Sequence, residues 1–246
     1  MAQETRIGLA GWSEAAGRYR ALLSQGPNEV TGLRRYATAF DFVEINSSFY
    51  RKVRASTCEK WASEVPDDFL FSVKMHRLIT HYTRLQNTDL LGDFFGPLSG
   101  LGAKLAVVLV QLPPTLTFDS RTAGHFFAAL RRIYKGHAVC EPRHASWQSA
   151  EAGKTLAEYR IGPVLTAIPD GRTRLGDKAL PVYVRLHGEP RRYYSSYDTD
   201  QLRQLTAFLK RQSRRPRFVV FDNTASSAGV RNALELQGLL ERRTKA

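Results

Sequence analysis

The sequence predicts an α/β fold, a single (β/α)8 barrel of the TIM type that spans residues 1–246. Eight short apolar segments recur along the chain, and helix-like stretches fill most of the gaps between them. Strands that alternate with helices form a parallel sheet, and eight repeats fit a closed barrel better than an open doubly wound sheet. No linker or internal repeat divides the sequence, which indicates one domain.

The elements follow from hydrophobic periodicity. The predicted strands are residues 6–10, 41–46, 69–74, 105–112, 138–141, 163–168, 182–187 and 217–222. The predicted helices are residues 29–39, 56–65, 88–101, 120–133, 148–160, 198–212 and 227–240. Between the sixth and seventh strands, residues 169–180 are too few and too broken by glycine for a full helix, so that helix is irregular or missing. This defect keeps the open sheet as an alternative.

Composition restricts the class of protein. The hydrophobic fraction of 43% is ordinary for a globular chain. The sequence shows neither the apolar core of a signal peptide nor a run of roughly 20 apolar residues, so we expect a cytoplasmic protein without membrane contact. Cys58 and Cys140 stand far apart and outside any metal-binding spacing, which predicts buried, reduced thiols.

The charge balance points to anionic partners. The chain has 36 Lys and Arg against 23 Asp and Glu, a net charge of +13, and its pI is about 10.0. Such a balance favours a phosphate, an acidic metabolite or nucleic acid as partner. A basic enzyme whose arginines merely face water is the alternative.

The seventh strand, VYVRLH over residues 182–187, is apolar on one face only. Successive side chains alternate across a strand, so Arg185 and His187 lie on the face opposite Val184 and Leu186. In a TIM barrel one face of each strand packs on helices, and the other points toward the axis and, near the carboxyl end, toward the active-site mouth. We therefore expect Arg185 and His187 to point into a site.

Polar residues end several other strands in the same way. Buried charges cost several kcal/mol each unless they are paired, so we expect an interlocked network of acids and bases at one mouth of the barrel. Salt bridges that fix strand register are the structural alternative. The members of the predicted network are Glu44, Asn46, Lys74, Gln111, Glu141, Arg143, Arg185, His187 and either Asp222 or Asn223.

Residue chemistry assigns roles within this network. Lys74, Arg143 and Arg185 are predicted to bind the phosphate or carboxylate of a substrate. The predicted catalytic residues are Glu141 and His187 as general acid and base, with Glu44 orienting the cations or the substrate. The other predicted substrate-binding residues are Asn46, Gln111, His144, Asn223 and the aromatic residues Trp12, Tyr50 and Trp147, whose rings suit a sugar or a nucleobase.

No cofactor is predicted, and a divalent metal is kept as the weaker alternative. Glu44, Glu141, Asp222 and a histidine together would satisfy such a cation. Lysine and arginine in the same network would repel it, and the sequence has no HxH or HExxH spacing. Dinucleotide-binding, Walker and nucleophile-elbow motifs are also absent from the sequence.

At these same positions the sequence resembles the YecE-like family, also called domain of unknown function family 72. The matching stretches are GLAGW (8–12), VEINSSFY (43–50), FSVKMHRLITH (71–81), VQLPP (110–114), EPRHASW (141–147), YVRLHG (183–188) and FDNTASSAGVRNA (221–233). They occur in the family's order and cover nearly the whole chain. The resemblance implies a TIM-type barrel and marks the strand ends, together with His81, as shared motif positions. It implies no reaction.

The sequence departs from the family's pattern in two places. Leu9 and Ala10 stand where the resembling motif GTSGW has hydroxyl residues, so a hydrogen bond from strand one to a substrate is not expected. Pro142 replaces a phenylalanine between Glu141 and Arg143. Because proline has no N–H to donate, we expect strand five to end at Glu141.

Three functions are compatible with these residues. The first is an enzyme, a hydrolase, isomerase or lyase, that acts on a small phosphorylated or carboxylated compound resembling a sugar or a nucleotide. The second is a nucleic-acid-binding or metal-assisted DNA-repair protein. The third is a non-catalytic barrel that binds a ligand. The oligomeric state is left open.

Overall fold

The eight predicted strands and seven helices are present in the structure, a computed structural model that describes residues 4–13 and 31–241. The strands are β1 Thr5–Leu9, β2 Phe42–Ile45, β3 Leu70–Lys74, β4 Leu105–Gln111, β5 His137–Glu141, β6 Ile161–Leu165, β7 Val182–Leu186 and β8 Arg217–Phe221. The helices are α1 Gly32–Tyr36, α2 Ala55–Ser63, α3 Leu90–Leu98, α4 Ser120–Ile133, α5 Ala150–Glu158, α6 Thr199–Arg211 and α7 Ala228–Glu241. Residues 29–30 of the first predicted helix lie outside the described residues.

The strands belong to one sheet in the order β1-β8-β7-β6-β5-β4-β3-β2. Neighbouring strands run parallel in the pairs β1 with β8, β3 with β4, β4 with β5, β5 with β6 and β7 with β8. Helices alternate with the strands along the chain. The fold class is therefore α/β of the (β/α)8 TIM-barrel type, as the sequence predicts. The structure also confirms that no helix separates β6 from β7 within residues 166–181.

The chain divides into two compact units. The first consists of Met1–Glu44, Glu64–Leu70 and Leu165–Ala246, and the second of Ile45–Ser63 and Phe71–Val164. In the first unit β8 lies between β1 and β7, with Val219 paired to Ile7 on one side and to Val184 on the other. Helix α6 begins with a capping box between Asp198 and Gln201, because each side chain bonds to the backbone N–H of the other.

A tyrosine hydroxyl joins β1 to β2, the strands at the two ends of the sheet order. Tyr36 accepts a hydrogen bond from the backbone N–H of Leu9 at 2.8 Å and donates one to the carbonyl of Phe42 at 2.8 Å. A Cβ on Gly8 would lie 2.0 Å from that carbonyl oxygen, so only glycine permits this approach. Burial raises the pKa of Tyr36 well above its usual value, and the hydroxyl stays a donor.

In the second unit β3, β4, β5 and β6 lie side by side. Gln111 pairs with Glu141 in the register of β4 and β5, so both of these side chains leave the sheet at the carboxyl ends of their strands. Strand β5 ends at Glu141, as expected from Pro142. Both cysteines are free and buried, and burial raises the pKa of Cys58 to about 11, so the thiols are protonated near neutral pH.

The sequence-based boundaries of β6 were wrong. The predicted strand was 163–168, whereas β6 is Ile161–Leu165 and Ile161 pairs with Ala138. Arg160 has a φ of 54°, which turns the chain sharply after α5 and brings Ile161 directly into the sheet. Helix α3 is also shorter than predicted, because residues Ser99–Lys104 tighten into a 3-10 segment that contains Gly102 at a φ of 53°.

None of the helices within residues 4–13 and 31–241 is long and apolar enough to cross a membrane.

We predict that Tyr36→Phe lowers the free energy of unfolding by about 2 kcal/mol. The substitution leaves a buried N–H and a buried carbonyl without the hydroxyl that bonds both, and unmet buried polar groups are costly. Urea unfolding checks the value, with Tyr82→Phe as control because Tyr82 is 63% exposed. Equal stability of the two variants would contradict the bridging role.

Candidate functional site

The first unit contains a buried group of polar side chains, here called the Arg185 cluster: Glu44, Tyr183, Arg185, His187 and Asp222. Tyr183, Arg185 and His187 alternate with the apolar residues of β7 and bond to the other two members, as strand alternation predicts. Asp222 directly follows β8, and its backbone N–H donates to Leu186 at the end of β7. The register of β7 and β8 therefore places Asp222 beside His187.

Arg185 is held by two carboxylates. Its Nε donates to Glu44 Oε1 at 3.0 Å and its second terminal nitrogen donates to the same oxygen at 2.8 Å, while Asp222 Oδ2 lies 3.1 Å from that nitrogen. Tyr183 donates to the other oxygen of Glu44 at 2.8 Å. Arg185 is 1% exposed and Glu44 is 0% exposed, so this charge pair is fully withdrawn from water. Charge-assisted, two-pronged bonds of this kind offset much of the desolvation cost.

His187 and Asp222 form a dyad. The distance from His187 Nδ1 to Asp222 Oδ2 is 2.9 Å, and both residues are buried. A carboxylate at Nδ1 favours the tautomer with its proton on Nδ1, which leaves a lone pair on Nε2. The ring of Tyr193 packs edge-on against the imidazole with centroids 5.8 Å apart. The ring nitrogen opposite Asp222 is therefore Nε2, which is a buried atom.

Asn223 lies next to this dyad and fastens the loop of residues 188–197. Its Nδ2 donates to the carbonyl of Ser195 at 2.9 Å and to Oδ1 of Asn232 at 3.0 Å. Asn232 in turn bonds both backbone groups of Tyr197, and the Tyr197 hydroxyl accepts from the N–H of Gly188 at 2.9 Å. The structure thus gives Asn223 a loop-anchoring contact. Its predicted contact with substrate stays a prediction.

The second unit contains another group of polar side chains, here called the Lys74 cluster: Lys74, His81, Gln111, Glu141 and Arg143, with the ring of Phe49. Glu141 Oε1 accepts from Gln111 Nε2 at 2.9 Å and from Arg143 at 2.6 Å. Glu141 is 1% exposed, whereas the Arg143 side chain is 20% exposed. The carboxylate therefore orients a guanidinium that still reaches solvent.

Lys74 ends β3 and is 5% exposed. Its ammonium lies 4.2 Å from the centroid of the Phe49 ring, a cation–π contact. Ser48 fixes the neighbouring backbone, since its hydroxyl contacts the carbonyls of Ile45 and Lys74 at 2.7 Å each. In the part of the chain that the structure describes, no group donates a hydrogen bond to the buried Oδ1 of Asn46.

Four other predicted substrate-binding residues have local contacts of their own. Trp147 is 5% exposed and donates from its indole to the carbonyl of Leu116 at 3.0 Å. His144 caps the 3-10 turn Ala145–Gln148, because its Nδ1 accepts from the N–H of Ser146. Tyr50 is 56% exposed and its ring lies 5.5 Å from the guanidinium of Arg77. Trp12 follows β1 and is partly exposed.

Three members of the two clusters, Tyr183, Phe49 and His81, have no role in the sequence-based prediction. Tyr183 lies on the same strand face as Arg185, and strand alternation alone could have identified it. Phe49 and His81 lie in loops after β2 and β3, where hydrophobic periodicity says nothing about side-chain direction. Their only sequence signal is their place in the matching stretches VEINSSFY and FSVKMHRLITH.

In the described ranges, no group of three or more histidine, cysteine or acidic side chains is arranged to hold a metal ion. The metal-binding set considered as the alternative, Glu44, Glu141, Asp222 and a histidine, is therefore not among such groups. In the Arg185 cluster, both carboxylates are bonded to arginine instead.

Comparisons with known proteins identify the family of the chain. A family model described as "Protein of unknown function DUF72" matches residues 6–246. The chain belongs to the DUF72 family. The resemblance to YecE-like proteins inferred from the sequence is thereby confirmed, and membership of DUF72 carries no assigned reaction.

Two curated proteins are similar to the chain in sequence. The UPF0759 protein YunF of Bacillus subtilis (strain 168) is 25% identical over 272 residues, which cover 96% of this chain and 94% of that protein. The UPF0759 protein YecE of Escherichia coli (strain K12) is 31% identical over 87 residues, or 35% of this chain and 32% of that protein.

Solved structures of DUF72 proteins share the fold. One from Enterococcus faecalis V583 superposes with a TM-score of 0.77 at 21% identity, covering 96% of this chain and 95% of that one. Another from Thermotoga maritima MSB8 has a TM-score of 0.75 at 21% identity, covering 97% and 100% of the respective chains. At this identity the similarity establishes the fold alone.

We predict that Glu44→Gln lowers the free energy of unfolding by about 3 kcal/mol, because it removes one of the two carboxylates that compensate the buried Arg185 charge. The control is Asp200→Asn, since Asp200 pairs with Arg203 on the surface and its side chain is 89% exposed. That variant should change stability by less than about 0.5 kcal/mol. Urea unfolding of both variants tests the difference, and a small effect at Glu44 would show that Arg185 does not depend on it.

Proposed function

We propose that the chain is an enzyme in which His187, oriented by Asp222, carries out general acid–base catalysis. The observation that carries the proposal is the 2.9 Å contact between His187 Nδ1 and Asp222 Oδ2. With Nδ1 bonded to a carboxylate, Nε2 is the nitrogen that takes a proton from a substrate and later returns it. Asp222 stabilises the imidazolium that forms in between, as the carboxylate does in a catalytic triad.

The cost of the Arg185 cluster supports this proposal. A buried ion pair is often no more stabilising than a well-packed apolar substitute, so stability alone gives little reason to keep two carboxylates, an arginine and a histidine together. The dyad also lies at the carboxyl ends of β7 and β8. That edge of the sheet carries the active site in TIM-barrel enzymes, which is an argument by analogy of fold.

Within the proposal Arg185 and Glu44 are positioning residues. The sequence analysis predicted that Arg185 binds an anion of the substrate and that Glu44 takes part in catalysis. The structure shows the guanidinium bonded to Glu44 and close to Asp222, at 1% exposure. We therefore assign Arg185 to holding Asp222 in the orientation that His187 needs, and Glu44 to holding Arg185.

A separate observation in the second unit favours a second candidate function, the binding of a small anion at the Lys74 cluster. Lys74 and Arg143 supply two positive charges, and Glu141 supplies one carboxylate. Arginine offers a planar fork and lysine a point charge, which together suit a phosphate or a carboxylate. The proposed ligands are phosphorylated or carboxylated compounds that resemble a sugar or a nucleotide, with Gln111 and Glu141 orienting Arg143.

The nucleic-acid alternative has its own support in the net charge of +13 and in the exposed Arg191–Tyr194 and Arg192–Tyr193 contacts. Oligonucleotide affinity that falls steeply with salt would favour it over a small ligand. Fluorescence anisotropy at low and physiological salt distinguishes the two.

We predict that His187→Gln lowers kcat by about a hundredfold to ten-thousandfold for any substrate that the protein turns over, because it removes the general base. Sugar phosphates, nucleotides and carboxylates are first screened by thermal shift, and ligands that raise the Tm are then assayed for turnover. His125→Gln is the control, because His125 is exposed on α4. A folded His187→Gln protein with unchanged kcat contradicts the proposal.

We predict that Lys74→Met abolishes the rise in Tm that inorganic phosphate or sulfate produces in the wild-type protein. Methionine keeps the apolar stem against Phe49 and removes only the charge, so the variant should remain folded. Lys154→Met, on the exposed surface of α5, is the matched control and should respond like the wild type. An unchanged response in Lys74→Met would place the anion elsewhere.

A further inference from the structure

The segment that follows β3 has an irregular backbone. Residues Leu78–Tyr82 form a single π-helical turn, and just beyond it Arg84 and Leu85 have φ values of 52° and 68°. Non-glycine residues in the left-handed region cost about 1–3 kcal/mol each and occur most often at functional sites. π-Helical turns are also frequent at such sites. The segment after Lys74 thus combines a π-helical turn with a strained exit at Arg84 and Leu85.

The π-helical turn Leu78–Tyr82 contains His81 and brings it to the Lys74 cluster. The His81 ring packs edge-on against Phe49, with centroids 4.9 Å apart and an interplanar angle of 82°. The same Phe49 ring carries the ammonium of Lys74 at 4.2 Å. The Thr80 hydroxyl contacts Nδ1 of His81 at 2.9 Å, so Nε2 is the ring nitrogen that this contact does not occupy. A histidine and a lysine therefore share one aromatic support.

Charged neighbours keep His81 neutral near pH 7. Burial lowers its pKa first, and the positive charges of Lys74 on β3 and Arg143 after β5 lower it further. The carboxylate of Glu141, which bonds Arg143 at 2.6 Å, is the opposite charge in this group. A bound anion would offset the repulsion from the two cations, so it would make protonation of His81 easier.

We propose that His81 is a third anion-binding residue of the Lys74 cluster and that an oxyanion binds there together with one proton, which His81 takes up. The inference rests on the anion binding proposed above and adds the residue that makes it depend on pH. Protonated His81 gives the cluster a third donor of positive charge, and its Nε2–H donates to the oxyanion. Neutral His81 accompanies the empty cluster.

The sign of the pH dependence follows from linkage. Because the His81 pKa is lowered in the free protein and raised by the anion, binding takes up a proton and is tighter at lower pH. A His81 pKa that rises by about one on binding corresponds to about tenfold tighter binding. The gain is present below the pKa of the free protein and is lost as the pH rises through the pKa of the complex.

The test uses inorganic sulfate, whose own charge does not change between pH 5.5 and pH 8.0. Titration calorimetry of the wild-type protein should give binding that tightens by up to about tenfold from pH 8.0 to pH 5.5, with net uptake of a fraction of a proton at pH values between the two His81 pKa values. His81→Gln should bind sulfate as the wild type does at pH 8.0 and show no gain at pH 5.5. His125→Gln, the control, should keep the full pH dependence.

Sulfate binding that Lys74→Met abolishes but that does not change with pH overturns the role of His81 and leaves the anion site intact. Absence of sulfate binding at every pH overturns both. Should His81→Gln fail to fold, NMR titration of the wild-type His81 ring replaces it. A His81 pKa that saturating sulfate does not raise then overturns the inference.

Discussion

The buried contact between Arg185 and Glu44 is the interaction on which the candidate site of the first unit depends. A guanidinium at 1% exposure must find its hydrogen-bond acceptors inside the protein, and Glu44 accepts from two of its nitrogens. Asp222 completes the compensation and is thereby held in place to accept from His187. The orientation of the imidazole is thus a consequence of how the arginine charge is neutralised, and Tyr183 on the same strand face supports it.

The two clusters have opposite ratios of acidic to basic side chains. The Arg185 cluster has two carboxylates for one arginine. The Lys74 cluster has two cations for one carboxylate, and an anionic ligand would complete its balance. The two clusters therefore differ in which sign of charge is in excess. An uncompensated buried charge lowers stability, so the imbalance in each cluster supports the role proposed above for its own unit.

The sequence was sufficient for the parts of the fold that repeat. Eight alternating units predicted the (β/α)8 class, and the period of two in VYVRLH predicted that Arg185 and His187 share a face. The sequence was insufficient where the conformation of a single residue determines the path of the backbone. The left-handed conformation of Arg160 moved the start of β6, and the turn at Leu78–Tyr82 placed His81, because neither feature has a periodic signal. The sequence also could not predict which acids bind Arg185, because several acidic residues lie at strand ends. Only the three-dimensional arrangement selects Glu44 and Asp222.

The loops after β3 and β7 both have an anchored backbone. The loop of residues 188–197 is held by Asn223, Asn232 and Tyr197 through a closed set of hydrogen bonds, although Tyr193 and Tyr194 at its tip remain 41% and 45% exposed. The β3 loop is held through backbone bonds from Thr83 and Leu85 to the preceding turn. Exposed side chains on an anchored backbone lose little further entropy when a ligand binds, which favours affinity. The hydrogen bonds of Asn223 and Asn232 therefore fix the backbone that carries the exposed Tyr193 and Tyr194 rings.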